Sequence, residues 1–165
     1  MKKLLCMLLA ALMVLTMASF AMAEEAASYK IAILTGTTSQ GEEEFTAASK
    51  LLEEYPDKVV TDTYPDNFSS EVETTISKLI AFASDPEVKA IIFVQAVQGA
   101  VSAFTQIRDS LGRDDILLIA GVPAEDPADI SAAADIVLAV DEIGCGYQVA
   151  DKLSLIHISE PTRPG

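Results

Sequence analysis

Apolar and polar positions along this chain follow two alternating periods. Short aliphatic and β-branched runs at Ile31–Leu34, Val59–Tyr64, Ala90–Val94, Ile116–Ala120 and Ala134–Val140 predict five strands. Between them apolar residues recur at helical spacing. Phe45, Ala48, Leu51, Leu52 and Tyr55 form one stripe, Val72, Ile76, Leu79, Ile80 and Ala83 a second, and Val101, Phe104, Ile107 and Leu111 a third. Pro56-Asp57 ends the first helix and Asp85-Pro86 the second, because proline cannot continue the hydrogen-bond ladder. Ser70 and Glu73 have the spacing of a capping box, and Gly112 closes the third helix. Asp126-Pro127 opens a short helix that runs to Ala133, and Asp141 caps a last one carrying Tyr147, Val149 and Ala150. Ala90–Val94 is the most continuous apolar run and belongs at the sheet centre. Val59–Tyr64, with Thr and Asp62 interleaved, reads as an edge. Strands alternating with helices through short connections predict the α/β class. The expected architecture is a doubly wound, open parallel sheet of about five strands in the order 2-1-3-4-5, with its switch point between the first and third strands.

The two ends change the picture. Lys2 and Lys3, the apolar run Leu4–Phe20 and Ala21-Met22-Ala23 read as a secretory signal cleaved before Glu24; the alternative is an uncleaved membrane anchor. The protein is therefore expected to be exported, periplasmic or extracellular. At the other end Leu153–Arg163, LSLIHISEPTR, resembles the in-frame translation of a sequencing adapter, so residues 153–165 are expected to be artefactual and the native chain to be cut near Lys152. His157, the only histidine, falls in that tail. The body is then divided into an N-terminal α/β lobe, residues 24–140, and residues 141–152, the start of a hinge or second lobe. The whole chain has 165 residues and a net charge of −14, a balance that repels phosphate backbones and argues against nucleic acid as a partner. Cys145 is the only cysteine after the signal, which leaves no internal disulfide and no Cys/His metal site.

Chemistry concentrates where strands end. Gly36-Thr37-Thr38-Ser39-Gln40-Gly41 has the G-x-x-x-x-G frame of a phosphate-binding loop. Glu42 and Glu43 stand where that motif needs Lys and Ser or Thr, so a nucleoside triphosphate would be repelled. With Glu44 they place three carboxylates in what reads as the first turn of the helix. Ser39 has no histidine in the body to act as its base, Cys145 fits a small buried residue, and Asp62 with Asp66 fits solvated or capping groups, so no catalytic residue is assigned and the chain is read as a non-enzyme. The exit loops instead carry amides, hydroxyls and isolated carboxylates. They are Thr37, Thr38, Ser39 and Gln40 after the first strand, Asp66 and Asn67 after the second, Gln95 and Gln98 after the third, and Glu125 after the fourth. Parallel strands deliver all of these to one sheet edge, where they suit reversible recognition of a small polar solute without a cofactor or metal. The first and third loops flank the switch point.

From Lys30 to Lys152 the strand–loop–helix rhythm resembles the first lobe of a type I periplasmic solute-binding protein. Asp141-Glu142-Ile143-Gly144-Cys145-Gly146-Tyr147-Gln148-Val149-Ala150 is similar to the aspartate-led helix with which such chains begin their second lobe. TYPDNF, QAVQGA and LLIAGVPAEDP resemble an uncharacterised family of exported bacterial proteins within that superfamily. The resemblance implies two lobes closing on a solute, one of them missing here, and a membrane permease, commonly of an ABC-type transporter, or a receptor as partner. Sugar binders of this fold carry aromatic residues after the first strand, and Gly36–Gly41 has none. An exported flavodoxin-like or other α/β enzyme domain, and a ligand-sensing lobe for a membrane receptor, are the alternatives.

Overall fold

β1 (Lys30–Thr35) is a strand because its Ile, Ala and Leu side chains are buried on both faces of a sheet. It opens a computed structural model that describes residues 28–158. The expected signal, Met1–Ala23, and the last residues of the expected artefactual tail lie outside that range. Then follow α1 (Thr38–Glu54), β2 (Val59–Thr63), α2 (Val72–Ser84), β3 (Val88–Phe93) and α3 (Ala100–Asp109). β4 (Leu117–Gly121), α4 (Pro127–Ala133), β5 (Ile136–Leu138) and α5 (Glu142–Ile158) complete the chain. The five strands form one sheet in the order β2-β1-β3-β4-β5, every pairing parallel, as the alternating pattern requires. Leu34 lies opposite Asp62 on one side and Phe93 on the other, so the exits of β1, β2 and β3 end level with one another.

The sheet is wound on both faces. On one, Ala32, Leu34, Ile91, Phe93, Leu118 and Ala120 meet Ile76, Leu79, Phe104, Ile107 and Ile130 from α2, α3 and α4 in the main core. On the other, α1 sets Ala48 and Leu52 over Ile33, Val59 and Ile92. α1 covers only part of its face. Leu117, Ile136 and Leu138 belong to the same face by strand alternation, and each is more than 40% exposed. α5 is exposed too, with Ile143 at 75% and Tyr147 at 76%. Its backbone runs through Lys152 without a break and ends at Ile158.

Two helix starts differ from the sequence pattern. Thr38–Gln40, expected as loop, form the first turn of α1. The amides of Gln40 and Gly41 both donate to the carbonyl of Thr37, which closes that turn, and the helix kinks at Gly41. Glu42–Glu44 therefore lie beyond the kink and not in the first turn. The Ser70/Glu73 capping box does not form. The amides of Ser70 and Glu71 and the Ser70 hydroxyl all donate to the carbonyl of Asn67, so a backbone turn leads into α2 in its place. The aspartate caps do form. Asp126 accepts from Ala128 N at 2.8 Å, and Asp141 from Gly144 N at 2.9 Å. Gly99 (φ 99°) starts α3 in the left-handed region, and a Cβ there would meet Val72 Cγ1 at 2.8 Å, so glycine lets α3 enter against α2.

The edge where the strands begin is tied by charge. Lys30 Nζ lies 3.0 Å from Asp85 and 2.6 Å from Glu87. Arg113 donates to the carbonyls of Ala83, Asp85 and Val88 and to the Asp115 carboxylate. Lys89 also pairs with Asp115, and Arg108 with Asp135.

Candidate functional site at the strand exits

At the opposite edge three loops converge. β1 ends in Thr35, and the chain turns through the buried Gly36 into α1. A Cβ on Gly36 would lie 2.9 Å from the Tyr64 hydroxyl and 3.2 Å from Gln40 Oε1, so the absence of a side chain brings the β1 and β2 exits together. Asp66, two residues after Tyr64, receives the first loop. Its Oδ1 accepts from the Thr37 hydroxyl and, at 2.7 Å, from Ser39 Oγ; the two hydroxyls themselves are 2.7 Å apart. Gln40 Nε2 donates to the Asp66 carbonyl at 2.7 Å, and its reach to the Pro65 carbonyl is 3.5 Å. Those hydroxyl bonds, Thr37 first and then Ser39, hold the exposed Asp66 carboxyl below the usual aspartate range.

A second, deeper chain of bonds joins the first and third exits. The buried Tyr64 hydroxyl donates to Gln95 Oε1 at 3.1 Å, and Gln95 Nε2 donates to Glu44 Oε1 at 2.8 Å. Burial, followed by the nearby Glu44 charge, pushes the Tyr64 phenol above its ordinary value, which keeps it a neutral donor. Edge-on contacts with Phe68 and Phe93 fix the ring. Two acceptors are left over. Gln40 Oε1 and Glu44 Oε2 are buried and have no hydrogen-bond partner among the described residues.

Of the residues singled out by sequence, Thr37, Ser39, Gln40 and Asp66 thus form one connected group, and Gln95 belongs to the adjoining chain. Thr38, Asn67 and Gln98 are exposed beside it and make no side-chain hydrogen bond among the described residues. Glu125 has a structural task, since its two oxygens accept from Gly99 N at 3.2 Å and Val101 N at 2.8 Å, across the start of α3. Tyr64 and Glu44 were not singled out. Tyr64 reads as the end of an apolar strand, and Glu44 as one of three helix-start carboxylates; only the kink at Gly41 turns it inward. Val122, in the β4 exit, holds a left-handed φ of 40°, a strained state for a β-branched residue, and is exposed. Among the described residues no group of His, Cys, Asp and Glu could hold a metal ion, and no helix is long and apolar enough to cross a membrane.

This fold recurs among known structures. Residues 29–163 match the family described as "Protein of unknown function (DUF3798)". An uncharacterized protein of Treponema pallidum (strain Nichols) is 34% identical over 146 residues, which cover 81% of this chain and 65% of that protein. A second from the same organism is 38% identical over 89 residues, covering 50% of this chain and 40% of the relative. The chain thus spans less than two thirds of the length of these relatives. Among solved structures, a candidate transcriptional regulator from Clostridium difficile 630 superposes with a TM-score of 0.67 at 22% identity, over 75% of this chain and 37% of that one. That likeness is one of fold. The chain belongs to the DUF3798 family.

Proposed function

We propose that this DUF3798 protein is an exported solute-binding protein of the type I periplasmic-binding kind, and that the region described is its first lobe. A small polar solute would rest on the strand exits and be closed over by a second lobe, for delivery to a membrane permease. The observation that carries the reading is the convergence of Thr37, Ser39, Gln40 and Asp66 at the β1/β2 exits, with Gln95 beside them at the β3 exit, on the edge where open parallel sheets hold ligands. The solved neighbour, of which this chain covers 37%, has length beyond one such lobe for a second wall. Export rests on the pattern of residues 1–23. No group at this edge has the geometry of a nucleophile with its base, so recognition without chemistry is the simpler role.

A second reading is a sensing lobe that takes up the same solute and passes the signal to a membrane receptor; the solved neighbour, named as a transcriptional regulator, shares the fold alone. Both readings share the binding edge. The net charge of −14 makes direct contact of this lobe with nucleic acid unfavourable. The test is native mass spectrometry of the secreted protein purified without denaturation. A small-molecule adduct that is lost in Asp66→Ala supports the proposal. An adduct indifferent to Asp66→Ala and Gln95→Ala, or none after dialysis against growth medium, contradicts it.

A further inference from the structure

We infer that the solute group received at the β1/β2 exits is a hydrogen-bond-donating cation, an ammonium carried by a small polar molecule. The inference rests on the solute-binding reading and narrows its substrate class. The side-chain atoms of Gln40, Glu44 and Asp66 left without a partner among the described residues, Gln40 Oε1, Glu44 Oε2 and Asp66 Oδ2, are all acceptors. Thr37 and Ser39 spend their hydroxyl protons within the cluster, the Thr37–Ser39–Asp66 group leaving Asp66 Oδ2 uncommitted at the exposed surface. Gln40 cannot present its amide nitrogen, because the Asp66 carbonyl holds that nitrogen and so orients Oε1 inward. Gln95 is fixed in the same way, its nitrogen on Glu44 and its oxygen on Tyr64. Gln40 Oε1 and Glu44 Oε2 remain buried with nothing to accept from among the described residues.

Charge points the same way. No basic side chain pairs with Glu44 or Asp66 among the described residues; Lys30, Lys89, Arg108 and Arg113 are all engaged by other carboxylates. A carboxylate at the surface without a cation, beside the orphaned amide oxygen of Gln40 and with Glu44 in the adjoining chain of bonds, repels phosphate and carboxylate solutes. It favours a group that brings both positive charge and N–H donors. Asp66 is the anchor, and Thr37 and Ser39 are positioning residues that hold its carboxylate in place.

The test uses the full chain with methylammonium, tetramethylammonium, potassium, acetate and glycerol as probes at matched ionic strength, read by amide and side-chain NH2 resonances of 15N-labelled protein. Methylammonium is expected to shift Thr37, Ser39, Asp66 and the Gln40 side chain saturably, and tetramethylammonium, which carries charge but no donor, is not. Asp66→Asn should weaken the methylammonium effect about tenfold, the value of one charge-assisted hydrogen bond, with the melting temperature nearly unmoved. Equal shifts from tetramethylammonium or potassium, stronger shifts from acetate, or none from methylammonium would overturn the inference. Glycerol separates this from the wider proposal. Shifts at these residues from glycerol without a preference for methylammonium sink the ammonium and leave solute binding standing; silence from every probe sinks both.

Discussion

The two edges of this sheet are built from the same residue types to opposite ends. Where the strands begin, carboxylates and cations are matched, and Arg113 alone ties the β3 start to the end of α2 through three carbonyls. Where the strands end, Lys78 pairs with Asp62 near the end of β2, but Asp66 and Glu44 are bonded only to hydroxyls and amides, and acceptors are left over. One edge has its polar groups satisfied internally and the other does not. The difference separates an edge that serves stability from the edge proposed for recognition, because buried polar groups left unsatisfied cost stability unless a partner completes them.

Mutations can break or sharpen that contrast. The largest effect belongs to the strand-start edge. Arg113→Ala strands three carbonyls and the Asp115 carboxylate, and should cost about 3 kcal/mol, a fall in Tm of about 10 °C by calorimetry. Arg113→Lys should recover little, since an ammonium cannot reproduce the guanidinium fork. Acid acts on the same edge. Hydrogen bonds from Arg113 and Lys89 hold Asp115 well below the usual carboxylate range. Asp85 is lowered by the Glu87 amide and then Lys30, and Glu87 by Lys30 and then Ser28. Their contribution is present above the unfolded carboxylate values near pH 4 and is lost as pH falls through the depressed folded values. Denaturant midpoints should therefore drop on acidification below about pH 4, and less steeply in high salt because these groups are exposed.

Effects on stability shrink at the strand exits. Gln95→Leu leaves Tyr64 and Glu44 without their link and should cost about 1–2 kcal/mol in urea denaturation. Val122→Gly should move the other way and gain about 1 kcal/mol, the left-handed strain outweighing the added freedom of the unfolded chain. Asp66→Asn should leave Tm almost unchanged while weakening solute binding. If Asp66→Asn unfolds the protein, or Arg113→Ala leaves Tm where it was, the division of labour between the edges is wrong.

Much of this was legible in the chain. The five strands, their order and the gathering of Thr37, Ser39, Gln40, Asp66 and Gln95 at one edge follow from alternating periods and parallel topology. The aspartate caps at Asp126 and Asp141 follow from local chemistry. What stayed hidden depends on bends that periodicity does not register. The kink at Gly41 turns Glu44 from a helix-start carboxylate into a member of the network, and the close approach at Gly36 brings Tyr64 to Gln40. Ser70 failed as a cap because a backbone turn at Asn67 reached the same groups first. Glu125 resembled a ligand residue by position, and only its contacts with Gly99 and Val101 give it its structural task.

The central claim is that the strand-exit edge is the recognition surface of the lobe. An amide-resonance titration of the 15N-labelled chain with the dialysable small molecules of its growth medium tests it most directly, since it reports both edges at once. The account predicts saturable shifts confined to Thr37–Gln40, Asp66 and Gln95, with Lys30, Asp85, Arg113 and Asp115 unmoved. Shifts at the strand-start edge with none at the exits would contradict it.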